Sequence, residues 1–155
     1  MSGRRYERKL VRAFEDRGWK TLPSGSSGSG TDSDRPDLLV GKAGLPMPPL
    51  AIEAKSTRQD AYTVREGEAD QLRRWSVSFD AEPVLAFYWV GPPGGNTSYG
   101  GWWFRPLAAV RRSPAENGSG GHHLRPRRAD RAKWASLDDL DHGRLVPPHN
   151  SGEHE

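Results

Sequence analysis

Cysteine is absent from these 155 residues, so the chain has no disulfide framework, cysteine zinc site or thiol nucleophile to draw on. No apolar stretch approaches the length of a membrane span, and the opening Met1-Ser2-Gly3-Arg4-Arg5 lacks the apolar centre of a signal peptide. A soluble protein working in the cytoplasm is the expectation. Strong net charge is missing too: 23 Lys and Arg against 20 Asp and Glu leave +3, too little to name a partner. Apolar residues reach 34%, enough for one core of modest size but not one that runs the whole length of the chain.

The basic residues are clustered. Arg4, Arg5, Arg8, Lys9 and Arg12 open the chain, Arg73 and Arg74 lie near its middle, and a further group runs from Arg125 to Arg131. Arginine favours bidentate contacts with phosphate, although each cluster also reads as an ordinary solvated helix face. His122, His123, His149 and His154 show no ligand spacing on a rigid element and read as solvent-exposed.

Residues 3–18 have the pattern of an amphipathic helix: Tyr6, Leu10, Ala13 and Phe14 recur at helical spacing and Gly18 supplies the stop. On that helix Glu7 falls on the apolar arc between Phe14 and Val11, opposite Arg5, Arg8, Lys9 and Arg12. An acid so placed either needs a partner or a metal, or sits at the margin of the stripe and reaches water or an arginine. Trp19–Leu22 is a short strand candidate. The Gly/Ser segment from Pro23 to Thr31 reads as a site loop, small enough for backbone amides and serine hydroxyls to approach a phosphate.

Further strands are expected at Asp37–Val40, Leu50–Lys55, Pro83–Val90 and Trp102–Phe104, the third continuous enough in apolar residues to be buried on both faces. Thr63-Val-Arg-Glu66 has the spacing of a capping box, ahead of Ala69, Leu72, Trp75 and Phe79 at helical intervals. Residues 111–131 lose apolar periodicity and read as a mobile basic insertion. Ser136-Leu-Asp-Asp139 repeats the capping pattern before a short closing helix ended by Gly143, and the tail of residues 146–155 is expected to be disordered.

The chemistry concentrates at Asp37 and at Glu53-Ala54-Lys55. Side chains alternate along a strand, so Glu53 and Lys55 share one face while Leu50, Ile52 and Ala54 point into a core on the other. Two acids and a lysine brought together can hold a divalent cation on hard oxygen ligands and set a positive charge beside a phosphate. Taken alone, a Pro-Asp followed at a distance by Glu-x-Lys is a pattern that chance also produces.

The order adds specificity. A helix with Glu7, a Gly/Ser loop, Arg35-Pro-Asp37-Leu-Leu-Val, Ala-Ile-Glu53-Ala-Lys55-Ser-Thr, Tyr62-Thr-Val-Arg-Glu66 and Pro83-Val-Leu-Ala-Phe resembles the archaeal-type Holliday junction resolvases of the PD-(D/E)xK nuclease superfamily. The resemblance runs from about Arg5 to Phe104 and implies an α/β fold, a restriction-endonuclease-like mixed central sheet flanked by helices, in one nuclease domain over residues 1–145. It makes Glu7, Asp37, Glu53 and Lys55 active-site positions, adds Ser27 from the loop, and assigns Arg8, Ser29 and Arg35 to DNA. The repeats Ser24-Gly25 and Ser26-Ser27 leave the serine register open. Trp75 and Phe79 fall where the family has helix aromatics near a homodimer interface. No counterpart is evident for residues 111–131.

The implied reaction is hydrolysis of a phosphodiester in a four-way junction, in the nucleoid. Asp37 and Glu53, with the Ala54 carbonyl, would hold Mg²⁺, with Mn²⁺ as the alternative ion, and Glu7 would complete the shell. Such an ion activates water and neutralises phosphate charge, while Lys55 would orient the water or stabilise the transition state. Two other classes stay open: a nuclease of the same superfamily acting on linear duplex, and a non-catalytic DNA-binding module whose acids merely form surface ion pairs.

Overall fold

The computed structural model describes residues 2–24, 35–58, 62–89, 101–110, 112–113, 121–124 and 134–145. Helix α1, Ser2–Asp16, buries Leu10 and Phe14 and leaves Arg5, Arg8, Lys9 and Arg12 exposed, as its apolar stripe dictates. It stops at Gly18, whose φ of 88° is a conformation glycine adopts without steric cost.

Strands β1 (Lys20–Pro23), β2 (Leu38–Gly41) and β3 (Leu50–Thr57) form an antiparallel meander. Strand β5 (Glu82–Trp89) then runs parallel to β3, and β6 (Trp102–Pro106) pairs antiparallel on its far side. The result is a mixed sheet of order β1-β2-β3-β5-β6. Parallel pairing of β3 and β5 requires a crossover, and helix α2, Glu66–Phe79, supplies it.

The sheet separates two apolar clusters. Leu38, Leu50, Ile52, Val84 and Ala86 pack with Leu10 and Phe14 of α1. Ala51, Leu85 and Phe87 pack on the other side with Ala69 and Leu72 of α2. Strand β5 therefore contributes alternate residues to both clusters, as its near-continuous apolar run predicts.

Two expectations are corrected. Thr63–Glu66 is no capping box: Tyr62–Arg65 is strand β4, with Val64 buried, and the N-cap of α2 is Arg65, without a side-chain cap. Within the 111–131 stretch, Arg112–Ser113 (β7) and Gly121–Leu124 (β8) are strands, and β4-β8-β7 make a second, smaller sheet. Pairing with β4 orders the backbone where apolar periodicity is lacking. The side chains of His122 and His123, and the whole 146–155 tail, lie outside the described residues.

The closing helix α3, Leu137–Asp141, is as expected: Ser136 and Asp139 form a reciprocal capping box. It is docked by backbone bonds of 2.8 Å in both directions between Phe104 and Ala135. Asp141 on α3 accepts hydrogen bonds from Arg17 and from the Trp19 indole, which ties α3 to the turn that follows α1.

Candidate active site

Strands β2 and β3 stop pairing at Leu38 and Ile52. One residue further on, Asp37 and Glu53 face each other across the opening, and the ladder is continued by a side chain: Oδ2 of Asp37 accepts the backbone N–H of Ala54 at 2.8 Å. By alternation from Ala51, Glu53 and Lys55 project from the face of β3 that α2 covers. Lys55 Nζ lies 3.6 Å from Glu53 Oε2 and 3.1 Å from Oε2 of Glu68, which α2 contributes. Arg35, Pro36, Asp37, Glu53, Glu68, Gln71 and Leu72 line a cavity of about 140 Å³.

Burial disfavours charge here. It raises the carboxyl of Asp37 above its usual range, against the opposing Ala54 N–H and the Lys55 ammonium. Burial, reinforced by the Asp37 charge, pushes Glu53 up to about 8. For Lys55, burial acts downward, but the charge of Glu53, with Tyr62 and Glu68, outweighs it and holds the ammonium above its ordinary value. One lysine faces three acids, and the acids that are deepest are short of positive charge.

The structure thus brings Asp37, Glu53 and Lys55 together and sets Arg35 at the cavity wall. Glu7 is half-buried on α1, the helix over the opposite face of β3, and does not line the cavity. Among the described residues no three His, Cys, Asp or Glu side chains gather closely enough to hold an ion, so the expected trio of Glu7, Asp37 and Glu53 is here a pair. Arg8 is exposed on α1, and Ser27 and Ser29 lie outside the described residues. Glu68 and Gln71 were not expected. Glu68 comes 13 residues after Lys55 and Gln71 later still, both on another element, and only the packing of α2 on the sheet brings them to the site.

Residues 1–119 match the family model described as archaeal Holliday junction resolvase (Hjc). The chain belongs to the archaeal Holliday junction resolvase family. Membership places this resolvase among structure-selective junction endonucleases. It is 33% identical over 91 residues to a crossover junction endodeoxyribonuclease of Sulfolobus islandicus rod-shaped virus 1, covering 57% of this chain and 72% of that protein. Its fold is similar to that of Archaeoglobus fulgidus Hjc, a Holliday junction resolvase, with a TM-score of 0.70 over 90% of this chain and 99% of the other at 19% identity. The family match ends at residue 119, inside the basic stretch without an evident counterpart.

Proposed function

We propose that this resolvase cuts four-way DNA junctions by Mg²⁺-dependent phosphodiester hydrolysis, with Asp37, Glu53 and the Ala54 carbonyl as the ion's holders. The observation that carries this is the pairing of two desolvated carboxylates at the mouth of β2 and β3, both held above their usual range by burial. Hard oxygens short of positive charge suit a divalent cation, which would add the missing charge. When bound, such an ion activates water and neutralises the charge developing on phosphate.

The side chains of the chain itself divide the remaining work. Lys55 offers its ammonium to a non-bridging phosphate oxygen and stabilises charge as the pentacovalent transition state forms. Arg35, exposed beside the cavity, holds a neighbouring backbone phosphate. Arg8, on the basic face of α1, contacts a phosphate further along the arm. Glu7, Ser27 and Ser29 enter the reaction on the strength of the family resemblance alone. Residues 1–145 act as one nuclease domain, and the protein works on chromosomal DNA in the cytoplasm.

A junction must be cut on two strands, and a two-fold homodimer sets two such sites symmetrically. Trp75 and Phe79 of α2, stacked with ring centroids 5.1 Å apart and with Phe79 half exposed, supply an apolar surface for that contact.

A synthetic four-way junction incubated with Mg²⁺ and resolved on a denaturing gel tests the function. Paired nicks on opposing strands, lost on chelation, are expected. Equal cutting of linear duplexes made from the same strands would favour the general nuclease, and binding without cutting in Mg²⁺ or Mn²⁺ the DNA-binding module.

A further inference from the structure

Glu68 is an unusual acid for its helix. It sits in the first turn of α2, where negative charge is favoured by the helix dipole, as does Glu66. Glu66 and Asp70 meet Arg73 of the same helix, at 4.0 and 2.7 Å. Glu68 instead reaches across to β3 and accepts a hydrogen bond of 3.1 Å from Lys55, closer than the 3.6 Å from Lys55 to Glu53.

The geometry has a consequence for the ammonium. Lys55 carries four rotatable bonds, and with Glu53 as sole partner it would fold back along its own strand onto a group that is needed for the cation. Glu68 draws it off that line toward the wall of the cavity, where a phosphate oxygen could be met. We propose that Glu68 is a positioning residue for Lys55: it fixes the direction of the ammonium by a hydrogen bond and touches neither cation nor DNA. This rests on the role given to Lys55 above.

Positioning and simple ion pairing differ in what they do to chemistry. A solvated surface pair could be removed with no change in the cleavage step, whereas a displaced catalytic group slows it. The opposite outcome would mark Glu68 as a brake that competes with phosphate for the ammonium. Its removal would then speed cleavage or tighten binding.

The test is a double-mutant cycle on the full-length protein with a four-way junction, in single-turnover reactions at saturating enzyme, so that binding does not contribute. Lys55→Ala should slow cleavage by ~10²-fold, as for loss of one preorganised donor. Glu68→Ala should slow it by about tenfold, as misplacement of a catalytic group does, with junction affinity unchanged. In the Lys55→Ala background, Glu68→Ala should cost nothing more. Glu68→Gln, which keeps an acceptor oxygen without the charge, should recover most of the rate.

If Lys55→Ala cuts like the parent, the catalytic role of Lys55 is wrong and the proposal goes with it. If Lys55→Ala is slow but Glu68→Ala cuts at the parental rate or faster, only the positioning role is overturned. It is overturned as well if the two losses multiply independently. Melting curves of each variant confirm that the rates compare folded proteins.

Discussion

Asp37 is joined to Ala54 by a 2.8 Å hydrogen bond from the Ala54 N–H to Oδ2, across the gap where β2 and β3 part. The bond does two things at once: it satisfies a strand N–H that has lost its ladder partner on that side, and it pins one acid opposite the other. The two roles are separable. Asp37→Asn keeps an acceptor oxygen and should melt within ~1 kcal/mol of the parent, while cleavage falls by ~10²-fold or more. Asp37→Ala should lose cleavage and in addition about 1–3 kcal/mol of stability, because the N–H is left unpaired. Urea titrations of the two variants are the measurement, and equal stabilities would deny the bond its structural part.

The raised carboxyls predict a pH dependence of stability. Glu53 moves from its ordinary value of 4.5 to about 8 in the folded chain, chiefly by burial and then by the charge of Asp37, which is raised as well. The folded state thus binds protons that the unfolded state releases, so the stability contributed by these carboxyls is full below pH 4.5 and is lost as pH rises through about 8. Without divalent ions, the urea midpoint should decline from about pH 5 to about pH 8, a loss on the order of a few kcal/mol. Glu53→Gln should flatten most of that slope. Mg²⁺ at ~100 times its dissociation constant should restore about 2.7 kcal/mol to the parent at the upper end and much less to the variant. A parent profile as flat as that of Glu53→Gln would show that the pair is solvated.

Much of the site was legible because it depends on local periodicity. Alternation along Leu50–Lys55 sets Glu53 and Lys55 on one face, and the apolar continuity of Pro83–Val90 marks the strand buried on both sides; both patterns need no knowledge of distant residues. What failed was non-local. Thr63 and Glu66 have capping spacing, yet Tyr62–Arg65 is claimed by pairing with Gly121–Leu124, some sixty residues on. Tertiary pairing overrode a local signal. Ser136-Leu-Asp-Asp139 carries the same spacing with no competing strand partner, and there the box forms. Glu68 was invisible for a related reason: in sequence it is one more acid in the first turn of a helix, and only the docking of α2 aims it at Lys55.

Gly143 carries a second structural prediction. Its φ is 76°, and a Cβ there would stand 2.7 Å from Cδ and 2.9 Å from Cγ of Pro46, so both backbone conformation and space demand glycine. Gly143→Ala should cost about 1–3 kcal/mol, through strain and through loosening of α3 from the loop before β3. Thermal melting should show the loss, while cleavage per folded molecule well below the transition stays unchanged because α3 contributes nothing to the cavity. Parental melting would mean that the Pro46 loop yields freely.

The end of α2 predicts assembly. Trp75 and Phe79 stack at an interplanar angle of 11°, Phe79 is 51% exposed and Val77 is 79% exposed, so these apolar groups are not consumed by the core. Scattered exposed apolar residues are ordinary, and Val77 faces the other side of the helix, but the two stacked rings lie one turn apart on a single face and form a contiguous patch, the kind that marks an interface. Since the patch belongs to α2, whose first turn reaches the active site through Glu68, a two-fold contact there would hold two cavities at a fixed separation. Trp75→Ala with Phe79→Ala should shift the protein from dimer to monomer in multi-angle light scattering at micromolar concentration. The monomer should keep its fold, because little buried apolar area is lost, and should still nick. The two nicks on one junction should become uncoupled, with singly nicked product accumulating where the parent releases resolved duplexes. An unchanged mass would show that α2 is not the contact. A monomer that still cuts both strands together would show that pairing of sites does not depend on it.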